Sequence, residues 1–74
     1  MKKFEVLYKV KAVINDTFIY LTNSETQSKW FTELVYSNNI FSAGKKVKHL
    51  LNYKHASKNK NIKTIVDIVE ISST

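Results

Sequence analysis

The sequence predicts a small α+β domain. Three observations carry that expectation: strict alternation of apolar and polar residues near the start, two mid-chain stretches with helical spacing, and a β-branched apolar run at the end. From Phe4 to Ile14 the even positions are Phe4, Val6, Tyr8, Val10, Ala12 and Ile14, while Glu5, Lys9 and Lys11 stand at odd ones. A period of two marks a half-buried strand, because successive side chains leave opposite faces. Asn15 and Asp16 tolerate positive φ, and Thr17 to Leu21 follows with high strand propensity, so a hairpin with a two-residue turn is expected. That turn sets Ile14 against Thr17 and adds Ile19 and Leu21 to the apolar face. It leaves Phe18 and Tyr20 beside Lys9 and Lys11 on the other face.

Thr22, Asn23 and Ser24 are capping residues, and Ser24 with Gln27 three positions on forms a capping-box pattern. A helix is expected to begin there. Trp30, Phe31, Leu34 and Val35 then fall on one side at about 100° per residue, with Lys29, Thr32, Glu33 and Tyr36 elsewhere. On this reading Trp30 and Phe31 anchor the core. Asn38 and Asn39 suit a C-cap. Ser42 suits the start of a second helix, with Val47, Leu50 and Leu51 on one face and Lys45, Lys48, His49 and Asn52 on the opposite one. Gly44 weakens its first turn by about 1 kcal/mol relative to Ala. After the polar stretch from Lys58 to Asn61, residues Ile62 to Ile71 read as a closing strand that is apolar on both faces.

The expected order is ββααβ, a small antiparallel sheet with two helices on one face. The alternative treats residues 28–37 and 45–54 as strands and gives a five-stranded OB-like barrel. The helices are preferred because the polar and apolar order from Lys29 to Val35 fits a helical stripe and breaks strand alternation.

The 74 residues form one small domain, since two would each be too short to offset chain entropy with a core. Nine aromatic residues and a hydrophobic share of 43% argue for a folded chain. No apolar run approaches the roughly 20 residues of a bilayer span, and the start lacks the apolar segment of a secretory signal, so a cytoplasmic location is expected. With no Cys and two His, disulfides, thiol catalysis and most zinc sites are excluded. One Gly leaves no phosphate-cradling glycine loop. His49 and His55 lie on different sides of a helix, with no acidic residue between Glu33 and Asp67 to orient them, and read as solvated rim residues. Asp67 and Glu70, three apart in a strand, are expected on opposite faces, which separates them as an acid-base pair. No catalytic residue, cofactor or metal site is expected, and the chain does not read as an enzyme.

The net charge of +6 is concentrated: residues 1–43 contribute +1, residues 44–63 contribute +7 and residues 64–74 contribute −2. Every basic residue is lysine, which attracts phosphate as a point charge but lacks the arginine fork that reads guanine edges. The expected function is therefore binding of RNA or single-stranded DNA through backbone phosphates, with little sequence preference. The candidate contacts are Lys45, Lys46, Lys48, Lys54, Lys58, Lys60 and Lys63 in the basic segment. Lys9, Lys11 and Tyr20 join them on the hairpin face, where an aromatic ring can stack a base. The rival expectation is a protein-binding inhibitor or antitoxin that docks on an acidic host protein, and a homodimer through the edge of the closing strand is a third arrangement.

The hairpin with its Asn15-Asp16-Thr17-Phe18 turn, Trp30 early in the expected helix and the last strand ending near Ile71 together resemble small T-even phage counter-defence antitoxins of the Dmd type. The resemblance is one of architecture, and the segment from Ser37 to Lys60 has no counterpart in it. It implies a phage-encoded protein in the host cytoplasm that binds a host toxin nuclease, and it assigns a role to no individual residue.

Overall fold

The computed structural model describes residues 1–74. The order is β1 (Lys2–Ile14), β2 (Thr17–Tyr20), β3 (Phe31–Ser37), α1 (Ile40–Lys54) and β4 (Lys63–Ser73). It is an α+β fold with a four-stranded antiparallel sheet and a single helix. The sheet is open, so neither the closed barrel nor the two-helix arrangement is formed.

The organising element is β1. At 13 residues it is longer than most strands, and it is long enough to take two partners in succession along one edge. β3 pairs with Lys2 to Tyr8 and β2 with Lys11 to Ile14, while β4 runs along the opposite edge from Phe4 to Val13. Since β3 and β4 are both antiparallel to β1, they are parallel to each other, and α1 crosses one face of the sheet between them.

The hairpin has the expected register. Ile14 faces Thr17, and Asn15 and Asp16 take φ of 48° and 63°, the left-handed pair a two-residue turn needs. The even residues Phe4, Val6, Tyr8, Val10 and Ala12 are buried. They meet Ala43, Val47 and Leu51 of α1, with Val35 and Val66 from the flanking strands. Leu50 lies on the flank of the helix and is half exposed, whereas Lys45, Lys48, His49 and Asn52 point outward as the spacing predicts. Gly44 lets α1 approach β4 closely, since a Cβ there would stand 3.3 Å from Ile71 Cδ1.

The first expected helix is absent. The Ser24 and Gln27 pair closes a tight turn instead: the Gln27 amide donates to the Asn23 carbonyl, its side chain donates to the Ser24 carbonyl, and Gln27 takes φ of 58°. An isolated bridge between Asn23 and Ser28 seals this turn, and β3 follows. Phe31, Glu33 and Val35 face the helix, while Thr32, Leu34 and Tyr36 face away. The polar Glu33 at an inward position hid the strand alternation. Its cost is removed by Lys54, whose Nζ lies 2.9 Å from Glu33 Oε1. Nor is Asn38-Asn39 a C-cap. Asn39 is the N-cap of α1, its side-chain oxygen accepting from the Ser42 amide at 2.8 Å, so the cap lies three residues before the expected cap at Ser42.

β4 contains a bulge. Leu7 pairs with Glu70 and Tyr8 with Ile68, so Val69 has no partner and the side-chain alternation resets. Asp67 and Glu70 therefore share the face away from the helix, opposite Lys9 and Leu7, and do not point to opposite faces. No helix is long and apolar enough to cross a membrane.

Candidate nucleic-acid interface

The face of the sheet turned away from α1 is uncovered, and its composition changes along its length. Toward the start of β1 it carries Lys3, Glu5 and Glu70, and toward the hairpin it carries Lys9, Lys11, Phe18, Tyr20 and Lys63, with Asp67 among them opposite Lys9. Trp30, immediately before β3, joins the second group: Lys9 Nζ lies 4.4 Å from the Trp30 ring centroid and 5.1 Å from that of Tyr20. Lys11 Nζ lies 5.1 Å from the Phe18 ring, and the Phe18 and Tyr20 rings meet edge to face at 5.6 Å. Interleaved cations and ring faces hold each other in place, since a lysine over a ring gains about 0.5–1 kcal/mol at an exposed site. Lys11 is shared with Asp67 at 3.2 Å, which leaves Lys9 as the less neutralised of the two.

Trp30 is thus not a core anchor. It is 41% exposed, because residue 30 precedes a strand and alternation sends its side chain away from the helix. Phe31, its neighbour, does reach the core and stacks on Tyr8 at 5.4 Å. Trp30→Ala is accordingly expected to cost well under the roughly 3–5 kcal/mol lost by a buried aromatic, as read from thermal denaturation. A loss within that larger range would place the ring in the core after all.

The basic segment is not one surface. Lys63 lies on the sheet face opposite Val13. Lys45 and Lys48 lie on the outer side of α1, where Lys45 stacks over Phe41 at 4.8 Å. Lys46 donates to the Tyr36 carbonyl, and Lys54 is committed to Glu33, whose hydrogen bond holds its pKa above the ordinary value. Lys58 and Lys60 occupy the connection to β4. Of the residues singled out in the sequence, Lys9, Lys11, Tyr20 and Lys63 come together, and Phe18 and Trp30 complete the group.

On the other side of the sheet, the gap between β2 and β3 along β1 is covered by the turn after β2. There a cleft of about 280 Å3 is lined by Tyr8, Phe31, Thr32, Lys54, His55 and the turn from Thr22 to Glu25. His55 is half-buried here, not solvated, and its Nε2 shares a hydrogen bond of 2.9 Å with the Tyr8 hydroxyl. The imidazole stands edge-on to both Tyr8 and Phe31. Burial pushes the Tyr8 hydroxyl above its ordinary pKa, and burial, followed by the nearby Lys54, pushes His55 below 6.5. The pair was not legible in the sequence because its members are 47 residues apart. No three His, Asp or Glu side chains stand close enough together to hold a metal ion.

The lowered His55 pKa has a direction in stability. Between the folded value and the unfolded value near 6.5, the unfolded chain binds the proton more readily. Stability is full above about pH 6.5 and falls as the pH drops below it. His55→Gln is expected to flatten the change in melting temperature between about pH 7.5 and pH 5 relative to the native chain. An unchanged pH dependence would show that His55 titrates alike in both states.

No protein-family model, no curated protein and no solved structure matches this chain.

Proposed function

We propose that the protein binds single-stranded nucleic acid, RNA or single-stranded DNA, on the open face of the sheet, with bases against Phe18, Tyr20 and Trp30 and phosphates beside Lys9, Lys11 and Lys63. The observation that carries this reading is the uncovered strip in which Lys9 lies between the exposed Trp30 ring and the half-buried Tyr20 ring. Base stacking on such rings is sequence-tolerant, contributing about 1–3 kcal/mol per base, and lysine adds attraction without base readout. The chain-wide excess of positive charge adds long-range attraction to the same polyanion.

Mobility shifts with random-sequence RNA and DNA oligonucleotides at two salt concentrations test it. With three lysines in contact, the logarithm of the binding constant is expected to fall against the logarithm of salt with a slope of roughly −2. The absence of a shift even at low salt ends this reading. A stoichiometric complex with an acidic host protein would then favour the inhibitor or antitoxin reading.

A further inference from the structure

We infer that the cleft behind Trp30, between the Thr22–Glu25 turn and the His55 end of α1, is a slot for a single nucleobase and that it prefers guanine. The inference rests on the single-strand reading above for how a base reaches it, and it adds a sequence preference that the sheet face by itself does not have.

The floor and one wall of the slot are aromatic. Phe31 is stacked on Tyr8, and both rings line the cleft together with His55, which stands at 74° to Phe31. A flat ring can lie on Phe31 with its edge against the imidazole. At about 280 Å3 the space suits one base and no more than its sugar. The polar groups around it are of both kinds. Lys54 Nζ is a donor held at the slot by Glu33. Every buried side-chain polar atom has a partner, so His55 Nδ1, which has none, is open to solvent. Glu25 is an exposed carboxylate whose backbone amide is fixed by the Asn23 side chain at 3.0 Å. Its side chain makes no ion pair within the protein, and it lines the same cleft.

A carboxylate and a cation at one slot match guanine better than the other bases. Guanine presents two adjacent acceptors, O6 and N7, to a cation or an N–H donor, and two adjacent donors, N1–H and N2–H, to a carboxylate. Adenine would turn its amino group toward the Lys54 ammonium, donor against donor. The pyrimidines cover less of Phe31. The position is also reachable from the sheet: Trp30 and Phe31 are consecutive and emerge on opposite faces, so a strand passing Lys9 and Trp30 meets the slot at the gap between β2 and β3.

The experiment is a titration of the isotopically labelled full chain with the four nucleoside 5′-monophosphates, followed by the backbone resonances of Ser24, Thr32 and His55 and by the Trp30 indole. GMP is expected to shift the first three at concentrations at least tenfold below those needed for AMP, CMP or UMP, leaving the indole unmoved. Glu25→Gln, a substitution on an exposed turn, is expected to remove that preference. Equal responses to all four nucleotides, responses confined to the Trp30 indole, or none, overturn the slot. Oligonucleotides report separately: loss of their binding in Lys9→Glu with GMP shifts intact supports both readings. Binding of random strands to the sheet face with no GMP preference at the slot rejects the slot alone.

Discussion

Reversing the charge of both Lys9 and Lys11 to Glu is expected to lower affinity for a random single strand on the order of 50- to 100-fold at about 50 mM salt. Each phosphate contact releases about 0.7 of a counterion from a single strand, which at that salt is worth about 1.2 kcal/mol, and two contacts are removed. The slope of the salt dependence should fall with the affinity, because both come from the same released ions. Tyr20→Ala is expected to weaken binding with the slope preserved, since stacking releases no counterion. The comparison that gives this result its meaning is reversal of Lys45 and Lys48. These lie on the outer side of α1, across the sheet from Phe18, Tyr20 and Trp30, and their reversal is expected to change affinity only through the net charge. An equal loss from the helix pair would move the interface to the helix. Fluorescence anisotropy with a labelled oligonucleotide, alongside a melting curve of each variant, separates lost contacts from lost folding.

Leu51→Ala is expected to abolish the cooperative unfolding transition or bring it close to ambient temperature. Leu51 is fully buried between α1 and the sheet. Truncating a buried leucine costs about 2–5 kcal/mol, the transfer energy of the lost methyl groups plus the cavity they leave. A domain of 74 residues has a small core and stability near the low end of the range of about 5–15 kcal/mol, so one such cavity removes much of it. Leu50→Ala, one residue away on the half-exposed flank, is expected to cost about 1 kcal/mol or less. Calorimetry or thermal circular dichroism reads the difference. Equal costs at the two positions would mean that the helix is rotated relative to the packing described.

The two halves of the chain differ in how far their structure can be read from local pattern. In the hairpin, the turn chemistry of Asn15 and Asp16 and the alternation of β1 act over neighbouring residues, so register and the lysine-aromatic face followed from them directly. The inner face of α1 was legible for the same reason: Val47 and Leu51 are one turn apart and both are buried. Residues 22–37 misled because their local signals agree with a helix. Ser24 and Gln27 satisfy a capping pattern, and Trp30, Phe31, Leu34 and Val35 fit a helical stripe. Against that stand the β-favouring Thr32, Val35 and Tyr36 and, decisively, an unpaired edge of β1 from Lys2 to Tyr8 that needs a partner strand.

The amino-acid sequence by itself determined the α+β class, the hairpin register, the apolar face of β1, the burial of Val47 and Leu51 on α1 and the location of Lys9, Lys11, Phe18 and Tyr20 on one surface. Each depends on periodicity or turn geometry within a few residues. Only the tertiary structure decided that β3 is a strand, that the bulge at Val69 brings Asp67 and Glu70 to one face, and that Trp30 is presented to solvent beside Lys9. It also decided that Lys54 binds Glu33 across 21 residues and that His55 meets Tyr8 across 47. Strand pairing and long-range hydrogen bonds are chosen by which free edge or buried polar group lies nearby in space, and that is a property of the assembled chain.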